Sequence, residues 1–114
     1  MNTVAANELK AMLERDQGAI LINVLSEADF EEARIPGSAN IPVSRNDFVE
    51  RVEDLAGGKN KPIVVYCATA ECTESPTAAH KLEEAGFTDV YNFEGGMEAW
   101  LDAQQYVERP DKTP

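Results

Sequence analysis

The chain has 114 residues, 43% of them hydrophobic, and its ten Lys and Arg stand against 21 Asp and Glu for a net charge of −11. That length suits one domain with one core, and an acidic surface spread along the whole chain repels phosphate backbones and anionic lipid, which argues against nucleic-acid and membrane partners. No apolar stretch approaches the roughly 18 residues of a membrane span, and MNTVAANELK lacks the basic start and apolar run of a signal peptide, so the expected compartment is the cytoplasm.

In chain order, TVAANELKAMLERDQG places Leu9, Met12 and Leu13 at helical spacing, with Asn2 or Thr3 as cap and Gly18 as the stop. AILINV follows as a short branched run suited to a strand buried on both faces. Ser26 with Asp29 three residues on forms a capping-box variant that opens a helix over EADFEEAR. IPG breaks that helix, SANIP gives a short strand, and DFVERVEDL is helical, with AGGKNK as its exit. PIVVY is a strand, and a helix is expected from Pro76 to Ala85, capped by Ser75 and stopped by Gly86. DVYNF is a strand, GG a turn and MEAWLDAQ a last helix, and RPDKTP reads as a loose tail. Strands alternating with helices through short loops imply an α/β domain, a parallel sheet covered on both sides.

The only cysteines, Cys67 and Cys72, stand five positions apart between the PIVVY strand and the following helix. In a chain expected in the cytoplasm they are more naturally thiols than a permanent staple. Ligand sites of open α/β sheets lie beyond the carboxyl ends of the strands, where Cys67 falls. A helix N-terminus adds unpaired N–H groups and a positive dipole end, which lower a thiol's pKa and hold an anion. Ala68, Thr69, Ala70, Thr73 and Ser75 are small, so the loop can curl its N–H groups toward one sulfur and stabilise a thiolate or the outer sulfur of a persulfide. The competing reading is a cysteine that caps a core strand, for Cys is among the most buried residue types.

Three strings in order resemble the single-domain rhodanese, or sulfurtransferase, family from about Ala19 to Glu108. LINVLSEADFEEARIPGSANIP is similar to its first signature, PIVVYC to its strand and reactive cysteine, and LEEAGFTDVYNFEGGMEAW to its closing section. The resemblance implies a three-layer domain over residues 1–108, with a tail at 109–114. It also implies five parallel strands flanked by helices, and Cys67 as the sulfur acceptor that becomes a persulfide.

Departures from the family pattern bear on the substrate. The family loop of six residues, starting at the cysteine, usually closes with a basic residue before the helix cap. Here eight residues, Cys67 to Glu74, precede the expected cap Ser75, with Thr73 as the alternative cap, so the two-cysteine loop reads as lengthened. No Lys or Arg lies between Lys61 and Lys81, and Glu71 and Glu74 flank Cys72. Side-chain charge therefore opposes a dianion such as thiosulfate, leaving backbone N–H groups of the loop to hold it. A phosphatase or arsenate-reductase reading fares worse, because the arginine needed to grip an oxyanion is absent from this loop. The family's Asp-Val-Arg is Asn23-Val24-Leu25 here, and its frequent His is Arg34. Losing one charge of a partly buried pair would cost about 3–5 kcal/mol, so the loss of both reads as neutralisation.

Other residues carry blander readings. His80, the only histidine, sits mid-helix and is expected to face solvent, and two Cys with one His are too few for a closed zinc site. Ser44 and Arg45 belong to a loop that would rim the site and are candidates for partner contact. Glu94, Gly95 and Gly96 shape a turn, Trp100 is core, and the acidic helix faces are solvated.

The sequence thus points to a sulfurtransferase that carries sulfane sulfur on Cys67 without metal or organic cofactor. A small donor, thiosulfate or a persulfide, loads it, and a thiol or protein acceptor takes the sulfur. Cys72 is either a resolving thiol that attacks the persulfide or a space-filling side chain. The alternative class is a catalytically silent rhodanese-like module that binds a partner or senses redox state.

Overall fold

A branched, apolar run buried on both faces needs backbone partners on each side and helices above and below, and this is what surrounds the middle of the chain. The computed structural model describes residues 2–14, 19–69 and 71–103. In chain order the elements are β1 (Asn2–Val4), α1 (Ala6–Glu14), β2 (Ile20–Asn23), α2 (Glu27–Glu32), β3 (Ala39–Asn40), α3 (Phe48–Ala56), β4 (Ile63–Tyr66), α4 (Glu74–Glu84), β5 (Val90–Phe93) and α5 (Gly96–Asp102). The five strands form one parallel sheet in the order β1-β5-β4-β2-β3, which places β4 at its centre.

Alternation along β4 divides the core in two. Ile63, Val65 and Cys67 face α3 and α4, where Phe48, Val52, Ala78 and Leu82 cover them. Val64 and Tyr66 face the other way, toward Leu9 of α1 and Met97 and Trp100 of α5. Cys67 therefore belongs to the α4 side by register, and its side chain is placed by the strand rather than by the loop.

Most elements lie where the sequence places them. Ser26 Oγ accepts from Asp29 N at 3.3 Å and opens α2 as expected. The acidic residues of α2 and the outer residues Glu50, Glu53 and Asp54 of α3 are exposed, and so is His80.

Two assignments are corrected. Asn2 and Thr3 do not cap a helix; with Val4 they form edge strand β1, in register with Tyr91, Asn92 and Phe93. Helix α1 starts later, and Glu8 Oε1 reaches back to accept from Ala5 N at 2.9 Å, which satisfies a donor at the helix start. The stop assigned to Gly18 lies outside the described residues, as does the tail at 109–114.

The second correction is at α4. The helix begins at Glu74 with Thr73 at its N-cap, not at Pro76 with Ser75 as cap. Thr73 O accepts from Thr77 N at 3.2 Å and from Thr77 Oγ1 at 2.8 Å. Pro76 then sits in the first turn, where its missing N–H breaks no helical bond. Six residues, Cys67 to Cys72, precede the cap, in place of the eight expected with Ser75 as cap.

Candidate active site

Strand β4 ends in Tyr66, whose hydroxyl accepts from Ile35 N at 3.1 Å and lies 2.9 Å from Ser38 Oγ. Ser38 spends its own proton on Ile35 O at 2.7 Å, so Tyr66 is the donor to Ser38. This pins the loop after α2 to the far face of the central strand. On the near face the next residue, Cys67, is 1% exposed.

The backbone leaving β4 is held by α5. Met97 N donates to Cys67 O at 3.0 Å and Glu98 N to Ala68 O at 2.9 Å. So close an approach requires Gly96: its φ is +60°, and a Cβ there would overlap Cys67 O and lie 2.9 Å from the carbonyl carbon of Ala68. Gly96 thus serves backbone geometry, as read from the sequence, and the reason is the backbone leaving β4.

Cys67 and Cys72 are joined by a disulfide, with their Cα atoms 6.5 Å apart. The expectation of two free thiols does not describe this state. Two of the loop N–H groups bond within the loop rather than to sulfur: Glu71 N donates to Thr69 Oγ1 at 3.3 Å and Cys72 N to Thr69 O at 3.2 Å. With Cys72 drawn over Cys67, these donors close a local turn on Thr69 instead.

Ser75 is not a cap but a buried residue, 1% exposed, whose Oγ lies 3.4 Å from Cys67 Sγ. A disulfide sulfur has no proton, so the hydroxyl is the donor. Cys72 is half-buried against the α4-side core, and Glu74 Oε1 lies 4.0 Å from its sulfur. Ala68, Glu71, Thr73 and Glu74 are exposed and Thr69 is half-buried; Ala70 lies outside the described residues. The structure therefore gathers Cys67, Cys72, Glu74 and Ser75 around one bond, with Thr69 shaping the turn.

Beside this loop, Asn23 is fully buried at the end of β2, where its Oδ1 accepts from Leu25 N at 3.0 Å. Asn40 Nδ2 donates to Leu25 O at 2.9 Å and Asn23 O at 3.2 Å, so an uncharged amide pair secures the first signature. Asn40 carried no sequence signal, because a strand of two residues shows no periodicity. Asn23 Nδ2 and Asn92 Oδ1 are buried without a hydrogen-bond partner among the described residues. Arg34 instead stacks over the Phe30 ring at 4.8 Å from its centroid. In the loop after β3, Arg45 pairs with Asp47 through Nε at 2.8 Å and Nη2 at 3.1 Å. That hydrogen bond holds the Asp47 carboxyl below its ordinary pKa, and Arg45 offers little uncompensated charge to the site.

A cysteine at the carboxyl end of the central strand of a parallel sheet, facing the first turn of a helix, stands where open α/β domains place their ligand sites. The sequence profile of the Rhodanese-like domain matches residues 5–103. Thiosulfate sulfurtransferase GlpE of Pseudomonas syringae pv. syringae (strain B728a) is 40% identical over 87 residues, covering 75% of this chain and 76% of its own. Among solved structures, BH2092 of Bacillus halodurans superposes with a TM-score of 0.82 at 26% identity, over 95% of this chain and 77% of its own. A thiosulfate sulfurtransferase of Pseudomonas aeruginosa superposes with a TM-score of 0.86 at 26% identity, over 98% of this chain but 21% of its own. The chain belongs to the rhodanese-like domain family, as a sulfurtransferase of the rhodanese type. Among the described residues no helix is long and apolar enough to cross a membrane.

Proposed function

We propose that the protein carries sulfane sulfur as a persulfide on Cys67 and that Cys72 resolves it. The Cys67 thiolate attacks the outer sulfur of a donor, the donor's remaining bond to that sulfur breaks, and the donor leaves as sulfite or a thiolate. An acceptor thiolate then takes the outer sulfur and returns Cys67 to its thiolate. Where no acceptor arrives, the Cys72 thiolate attacks Cys67 Sγ, hydrosulfide leaves and the Cys67–Cys72 disulfide remains. Two thiol sulfurs are oxidised and the sulfane sulfur is reduced, so no outside oxidant is required. The observation that carries this reading is the bond itself: Cys72 lies within bonding reach of the cysteine that ends β4.

Intact mass of the reduced protein tests the first half, after exposure to thiosulfate and separately to a small persulfide. One added sulfur localised to Cys67 is the expected result, and no addition from either donor refutes it. In Cys72→Ser the persulfide should survive several times longer, and hydrosulfide release without added reductant should fall. Equal lifetimes in the two proteins would reduce Cys72 to a bystander.

Donor choice follows from charge. Glu71 and Glu74 are exposed at the loop, and no Lys or Arg lies between Lys61 and Lys81. A neutral or singly charged persulfide is therefore the better donor, with thiosulfate a weak one. Changing both glutamates to Gln should raise thiosulfate use about threefold to tenfold at low ionic strength, and the gain should shrink as salt screens it. Turnover from a neutral donor serves as the control and should change much less. High thiosulfate turnover that ignores both substitutions would remove the electrostatic argument.

A further inference from the structure

We propose that the Cys67–Cys72 disulfide opens from one side only: an incoming thiol attacks Cys72, Cys67 leaves as the thiolate, and the reductant is a dithiol without net negative charge. This rests on the reading above, since it concerns how the same site returns to its sulfur-accepting form. Which sulfur of a disulfide is attacked depends on access, and which one leaves depends on its acidity. Here both point the same way.

Access comes first. A nucleophile needs an open face on the sulfur it strikes. Cys67 is 1% exposed and packed among Val24, Val65 and Ala78, whereas Cys72 is half-buried between the exposed Glu71 and Thr73. Of the two residues, Cys72 is the more exposed.

Acidity follows from the neighbours of each sulfur. The Ser75 hydroxyl, buried and 3.4 Å from Cys67 Sγ, donates to charge as it develops there. The positive end of α4 lies close to both bonded sulfurs and does not choose between them. Cys72 has the Glu74 carboxylate 4.0 Å away, which disfavours a thiolate on that sulfur. Cys67 is thus the better leaving group.

The steps balance. A reductant thiolate forms a bond to Cys72 Sγ as the Cys67–Cys72 bond breaks, and the electron pair stays on Cys67. The freed Cys67 thiolate sits beside the new mixed disulfide and can reverse the step, so a tethered second thiol on the reductant is needed to win that competition. That second thiolate attacks the reductant's own sulfur, and Cys72 leaves and takes a proton from water. The reductant ends as a disulfide and the site as a Cys67 thiolate and a Cys72 thiol. With Glu71 and Glu74 at the rim and −11 overall, an anionic thiol approaches against repulsion.

The test uses the oxidised protein with no sulfur donor present, so it fails or succeeds separately from the persulfide measurement. Cysteamine, a cationic thiol, and glutathione, an anionic one, are compared at equal thiolate concentration, with early acid quench, alkylation and peptide mapping. The expected products carry the probe on Cys72 and the alkyl group on Cys67. Cysteamine should open the bond about threefold or more faster at low salt, the difference closing as salt rises. Ser75→Ala, checked for an unchanged fold, should slow opening by roughly threefold. A probe found on Cys67 or divided between the two sulfurs overturns the proposal. So do equal rates for the two thiols, an opening rate indifferent to Ser75→Ala, or oxidised protein in which no Cys67–Cys72 disulfide can be isolated.

Discussion

Replacing Cys67 by Ser should lower sulfur transfer by about 10³-fold or more, because an alkoxide-forming hydroxyl cannot replace a thiolate as the attacking group or form a persulfide. The fold should survive. Cys67 is a small residue at the end of a strand whose ladder on both sides is made by backbone. Burying a hydroxyl in place of the thiol costs about 1–3 kcal/mol, and Ser75 beside it offers a partner. Steady-state transfer from a persulfide donor, set beside urea unfolding, separates the two effects. Residual transfer within tenfold of the parent would move the chemistry away from Cys67. Cys72→Ser is the informative contrast, since it should still accept sulfur and lose only the disulfide-forming exit.

Gly96→Ala should destabilise the domain by about 2–4 kcal/mol, although the residue belongs to neither cysteine's loop. A side chain at φ +60° is strained, and here the added Cβ also meets the Cys67 carbonyl that Met97 N holds. The turn can relieve the overlap only by drawing α5 away from β4, which loosens the backbone carrying Cys67. The expected readings are a lower urea midpoint and a loss of transfer larger than the stability change alone explains. A stability change below about 0.5 kcal/mol would show that the approach can relax at little cost.

What the sequence disclosed was what local chemistry determines. Ser26 with Asp29 announced α2, the branched run before Cys67 announced β4, and three strings in order announced the family. Edge strand β1 was hidden because Asn2–Val4 has no side-chain pattern of its own and is a strand only through its distant partner, Tyr91–Phe93. The start of α4 was misplaced because Ser75-Pro76 has the chemistry of a helix opening. Pro is tolerated through the whole first turn, however, and Ser75 turns inward to sulfur. The amide pair of Asn23 and Asn40 depends on two strands meeting in register, which no window of sequence contains. At the site, the place of Cys67 at the end of β4 is legible from the run before it, whereas spacing leaves Cys72 either close to Cys67 or merely filling space, and the disulfide decides between them. The bonds of Glu71 N and Cys72 N to Thr69 are not legible there, because they depend on how the loop turns after the strand.

The anchoring of the two cysteines has a kinetic consequence. Cys67 is fixed by the central strand and Cys72 stands immediately before the cap of α4. For the proposed persulfide, Cys72 is thus a tethered competitor at an effective concentration on the order of millimolar or above, which does not change when the solution is diluted. An acceptor must outrun it. Scarce acceptor sends sulfur out as hydrosulfide, and abundant acceptor receives it intact, so the ratio of the two products reads acceptor supply. The crossover between those outputs is set by the six-residue loop rather than by the amount of protein.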